Sequence, residues 1–96
     1  MLSEDCSVKF KGFEPSNEVR SALDILLGEL YRKSPSQSFL KATFTLTGDI
    51  FEGVIKVTSK AGEFVVKATD EQFKRVGEKL TEGLGGQLEK WRKIRF

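Results

Sequence analysis

Seven Lys and Arg side chains stand between Phe73 and Phe96 against three Glu, a net +4 in the last quarter of a 96-residue chain whose total charge is +2. Residues 1–72 therefore carry −2. Within this segment Arg75, Lys79, Gly83, Gly86, Lys90 and Lys93 recur every three or four residues, which lines them up along one face of a helix. Lys90-Trp91-Arg92-Lys93-Ile94-Arg95 adds cations in close succession. Such a stripe can follow a row of phosphates, because Lys and Arg neutralise them and release their condensed counterions. The plainer reading is a solvated helix face, since Lys74 and Glu78 also stand at the i,i+4 spacing of ordinary surface ion pairs.

A second cationic surface comes from Lys9, Lys11, Lys41, Lys56 and Lys67, which alternate with apolar residues and lie beside Thr43, Thr45 and Thr58. Strands can present cations to nucleic acid, but base recognition on a sheet also needs exposed aromatic rings. Phe10, Phe44, Phe51 and Phe64 all fall on the apolar side of the alternation, so no stacking platform is expected. A solvent-facing sheet or a protein-docking edge fits that face better.

Other chemistry is largely excluded. The chain has no histidine, which removes the usual general base, the commonest zinc ligand and the Ser-His and Cys-His nucleophile pairs. Cys6 is the one cysteine, so no internal disulfide can form. Fourteen Asp and Glu interspersed with sixteen Lys and Arg read as surface rather than as a catalytic pair. Gly83-Leu84-Gly85-Gly86 lacks the GxxxxGK[ST] spacing of a phosphate loop, and Trp91 reads as a residue capping the core. No enzyme activity, metal, cofactor or small-molecule substrate is expected.

The elements that must position these residues follow from hydrophobic period. Ser7–Phe13 alternates, placing Val8 and Phe10 inward and Lys9, Lys11 and Phe13 outward. Ser16 is a candidate N-cap for a helix over Ser16–Lys33, whose stripe Val19, Ala22, Leu23, Leu26, Leu27, Leu30 and Tyr31 must be buried. Ser34-Pro35-Ser36 stops it. Phe39–Thr47, Ile50–Ser59 and Glu63–Ala68 then form an antiparallel meander, with turns at Gly48-Asp49 and Lys60-Ala61-Gly62. Thr69 and Gln72 have the capping-box spacing at the start of a last helix, along which Phe73, Val76, Leu80, Leu84, Leu88 and Trp91 are apolar. Gly83, Gly85 and Gly86 predict a kink there or close contact with another backbone.

The order β-α-β-β-β-α defines an α+β fold: one four-stranded sheet with both helices on one face, in a single domain spanning 1–96. No apolar run has transmembrane length, and Met1–Ser7 has no signal-peptide character, so a soluble cytoplasmic protein without membrane contact is expected.

This order, the short turn before a Leu-rich helix, and the closing Gln87-Leu88-Glu89-Lys90-Trp91-Arg92-Lys93 resemble the ribosome hibernation-promoting factor and ribosome-associated inhibitor family over nearly the whole chain. The resemblance implies a short-form stress-response factor that binds the small ribosomal subunit between head and body. There, basic side chains on both helices contact ribosomal RNA, and the domain occludes the mRNA and tRNA anticodon sites. Arg20, Lys90 and Lys93 match basic positions of the family, and Arg75, Lys79 and Arg92 extend the expected RNA-binding set along the last helix. Asp70-Glu71-Gln72-Phe73-Lys74-Arg75-Val76 departs from the family's Asp-x-Tyr-x-Ala-Ile-Asp stretch, and Gly85-Gly86 stands where a basic residue often precedes Gln. The expected function is non-catalytic occupancy of the ribosome. The alternative is a protein-interaction or self-associating module, such as a homodimer, that keeps the fold and binds no ribosome.

Overall fold

Alternation of apolar and polar residues produces the strands, and the computed structural model describes residues 6–35, 37–60 and 62–95, with only the backbone at 92, 94 and 95. The elements run β1 (Cys6–Lys11), α1 (Asn17–Lys33), β2 (Phe39–Thr47), β3 (Ile50–Ser59), β4 (Gly62–Asp70) and α2 (Phe73–Arg95). The sheet order is β1-β2-β3-β4. Because α1 carries the chain back across the sheet, β1 pairs parallel to β2, while β2, β3 and β4 form the antiparallel meander. The expected α+β class and element order hold. Ser36 and Ala61, which belonged to the expected helix stop and second turn, lie outside the described residues.

Register stacks the inward residues into rows across all four strands. Cys6, Leu40, Val57 and Phe64 form one row, Val8, Ala42, Ile55 and Val66 the next, and Phe10, Phe44, Gly53 and Ala68 a third. Against these rows pack Leu23, Leu27 and Leu30 of α1 and Val76, Leu80, Leu84 and Leu88 of α2, all buried. Each such leucine removed from water contributes about 1.5–3 kcal/mol. The third row has a hollow at its centre: a Cβ on Gly53 would lie 2.6 Å from Leu80 Cδ1 and 2.7 Å from Val76 Cγ1. The missing side chain is what lets α2 settle directly onto β3.

The start of α1 is capped as expected, with Ser16 Oγ accepting from the Val19 amide at 3.3 Å. Its end is closed by the Ser34 amide and hydroxyl, which donate to the Tyr31 and Leu30 carbonyls at 3.0 and 2.9 Å. No helix among the described residues is long and apolar enough to cross a membrane.

Four expectations need correction. β1 ends at Lys11, and Gly12 adopts φ +83°, a conformation open to glycine, which swings Phe13 around the sheet's end. Phe13 therefore leaves the outward face and joins Phe10, Phe44, Phe51 and Phe73 in a cluster of rings with neighbouring centroids 5.1–5.8 Å apart. The α1 stripe is not wholly buried: Val19 is 37% exposed and Ala22 is exposed. Thr69 is not a cap, because it remains in β4 opposite Glu52, and the Asp70 carboxylate takes the Gln72 amide at 2.9 Å instead. Finally, α2 is unbroken from Phe73 to Arg95, and its glycines differ. Gly83 presses on the Val66 side chain rather than on a backbone, whereas a Cβ at Gly85 or Gly86 would meet nothing within 4 Å.

That difference predicts stability. Gly85→Ala and Gly86→Ala should each stabilise the fold by up to about 1 kcal/mol through helix propensity. Gly83→Ala should fall short of that gain because its Cβ would sit 2.6 Å from Val66 Cγ2. Urea denaturation of the three variants would check the ranking.

Candidate nucleic-acid interface

The cations of α2 are positioned by contacts with the edge strand β4. Lys79 Nζ donates to the Thr69 carbonyl at 2.9 Å and pairs with Asp70 Oδ2 at 3.1 Å, Gly83 abuts Val66, and Gln87 Nε2 donates to the Val65 carbonyl at 2.9 Å. Residues 79, 83 and 87 are each one turn apart, so this side of α2 overhangs β4. Arg75 lies one turn before Lys79, and Lys90 and Lys93 continue the side beyond Gln87; all four cations are exposed. Arg92 is part of α2, but its side chain lies outside the described residues. The contacts also shield β4, because two edge carbonyls that another strand could pair with are already engaged.

Arg20 stands apart from this group. It lies on the β1 flank, its guanidinium carbon 5.3 Å from the Phe10 ring centroid in a cation–π contact. The six expected RNA-binding residues therefore do not form one ridge across the helices. Between α1 and α2 the exposed surface instead carries Glu18, Glu78 and Glu82 with Lys74.

The open face of the sheet is more uniformly cationic. Alternation places Lys9, Lys11, Lys41, Lys56 and Lys67 there with Glu52 and Glu63. Lys56 pairs with Glu63 at 3.3 Å and Lys67 with Glu52 at 3.6 Å; these half-exposed pairs contribute about 0–1 kcal/mol each. Lys41 sits directly opposite Lys56, a like-charge juxtaposition that costs stability. Lys9, Lys11 and Lys41 make no ion pair among the described residues. Phe39 shares this face and is 61% exposed, an outward aromatic that the sequence reading did not name. The signal was present: if Leu40 points inward, strand geometry turns Phe39 outward.

Asp70 ties the interface to the fold. Its carboxyl is held below the ordinary value of 3.8, first by the Gln72 amide and then by the hydrogen bond and charge of Lys79. Among the described residues, no group of three or more Cys, Asp or Glu is placed to hold a metal.

No family model matches the chain, and no curated protein matches it. Among solved structures, it is similar to the Thermus thermophilus Protein Y N-terminal domain, with a TM-score of 0.75 and 17% identity over 90% of this chain and 97% of that one. It is also similar to a ribosomal subunit interface protein from Coxiella burnetii, with a TM-score of 0.73 and 16% identity over 92% of this chain and 97% of that one. Over the matched nine-tenths of its length, the chain has the fold of these two proteins.

The Asp70 contacts predict a pH dependence. A carboxyl whose pKa is lower in the folded state stabilises folding above its unfolded value, and this contribution disappears as pH falls through the folded value. Asp70→Asn should therefore be less stable than the parent at neutral pH, and the gap should close on acidification below 3.8. Urea midpoints measured across that range would test this, and a gap independent of pH would rule it out.

Proposed function

We propose that the chain is a non-catalytic, ribosome-associated factor of the hibernation-promoting kind, acting in the cytoplasm under stress. It binds ribosomal RNA of the small subunit and blocks translation by occupying the site. The observation that carries this reading is the concentration of cations on the open sheet face and the β4 flank, in a fold shared with a protein named for the ribosomal subunit interface. Arg75, Lys79, Lys90, Arg92 and Lys93 supply phosphate contacts from α2, and Arg20 does so from the β1 flank. Lys79 also holds β4 to α2, so its share in RNA contact is smaller than that of the exposed Lys90 and Lys93. Lys9, Lys11 and Lys41 extend the cationic surface, and Phe39 gives an unpaired base a ring to stack on.

The complex should weaken steeply with salt, because its affinity comes largely from released counterions. Lys90→Glu combined with Lys93→Glu should reduce cosedimentation with purified small subunits in low salt by about tenfold or more, and lower the salt slope by about one for each phosphate left without its cation. If the double variant sediments like the parent while Lys9→Glu with Lys41→Glu does not, the RNA lies on the sheet rather than on α2. If neither variant changes cosedimentation, the proposal fails.

A further inference from the structure

α2 leans toward β3 and β4, and an apolar groove of about 670 Å3 remains between it and α1. Val19, Ala22 and Leu26 line one wall, and Phe73, Gly77 and Thr81 line the other. These α1 positions are part of the stripe that core packing leaves incompletely covered. A Cβ on Gly77 would meet nothing within 4 Å, so this wall is open to an incoming side chain or helix. The rim bears Glu18, Glu78 and Glu82 against a single cation, Lys74.

We propose that this groove docks a basic amphipathic helical segment of a protein partner. Val19 to Leu26 spans roughly 10 Å of helix, enough for two turns of a partner presenting apolar side chains at i, i+3 or i+4, and i+7. Lys or Arg flanking those anchors would meet the three rim carboxylates. Charge decides between this occupant and the others. A nucleic acid would bring phosphates onto carboxylates, and a second copy docking groove to groove would set acidic rim against acidic rim. The groove lies on the helix side, opposite Lys9, Lys41 and Phe39, and its lining includes none of the α2 cations assigned to RNA, so both surfaces can be engaged at once. Docking in the groove is separate from ribosome binding and does not depend on it.

The test uses the whole chain and a short fluorescein-labelled helical peptide of Leu and Lys, with leucines at the spacing given above, followed by fluorescence anisotropy. Binding should be saturable. Ala22→Arg, at an exposed position, should weaken it by about tenfold or more, and Glu78→Gln with Glu82→Gln should weaken it and flatten its salt dependence. Absence of saturable binding would overturn the proposal, as would equal binding of a Leu and Glu peptide or unchanged affinity in both variants. A dimer in sedimentation velocity that Ala22→Arg dissolves would also overturn it, by assigning the groove to a second copy. Each result is read apart from cosedimentation with ribosomal subunits, whose proposed contacts lie on the sheet face and the outer flanks and include neither Ala22 nor the rim carboxylates.

Discussion

α2 can rest directly on the sheet only because Gly53 leaves room for it. A side chain at Gly53 would collide with Val76 and Leu80, so its absence sets how deeply the helix seats, and Gly83 against Val66 repeats the fit two turns later. Since protein interiors are packed at near-crystalline density, a helix held this tightly has little freedom to shift. α2 is thereby placed over β3 and β4, with its polar side chains reaching the outermost strand. The same placement draws it away from the beginning of α1, where Val19 and Ala22 remain uncovered. The shielded strand edge and the groove between the helices both follow from where this one helix rests.

Charge is sorted by the same geometry. Strand alternation directs Lys9, Lys11, Lys41, Lys56 and Lys67 to the side without helices, and helix period directs Glu78 and Glu82 toward α1. A net charge of +2 conceals this division. The sheet face and the β4 flank gather cations, whereas the cleft between the helices gathers carboxylates.

Much of the architecture was legible in the sequence because burial and periodicity agree. Phe39–Thr47 and Ile50–Ser59 have the expected bounds, and Ser16 caps α1 as its position suggested. Phe13 was misplaced because alternation assumes a continuing strand, and the positive φ of Gly12 breaks that assumption. Thr69 and Gln72 match a capping pattern, yet sheet pairing with Glu52 outweighs that local preference. The groove was not legible, since helical period shows which residues avoid water but not whether a neighbouring helix is near enough to cover them. That Arg20 lies on the β1 flank and Lys79 on the β4 flank was not legible for a related reason, since sequence does not say where over a sheet each helix will rest.

The parallel pairing of β1 with β2 has a consequence for synthesis. Cys6–Lys11 is synthesised before its partner strand, Phe39–Thr47, which follows only after the whole of α1. The elements after α1 are neighbours along the chain and can assemble through short-range contacts, while the first strand must wait for a distant one. During that wait Lys9 and Lys11, set between Val8 and Phe10, keep a short, nascent apolar segment charged and so guard it against pairing with other unfinished chains.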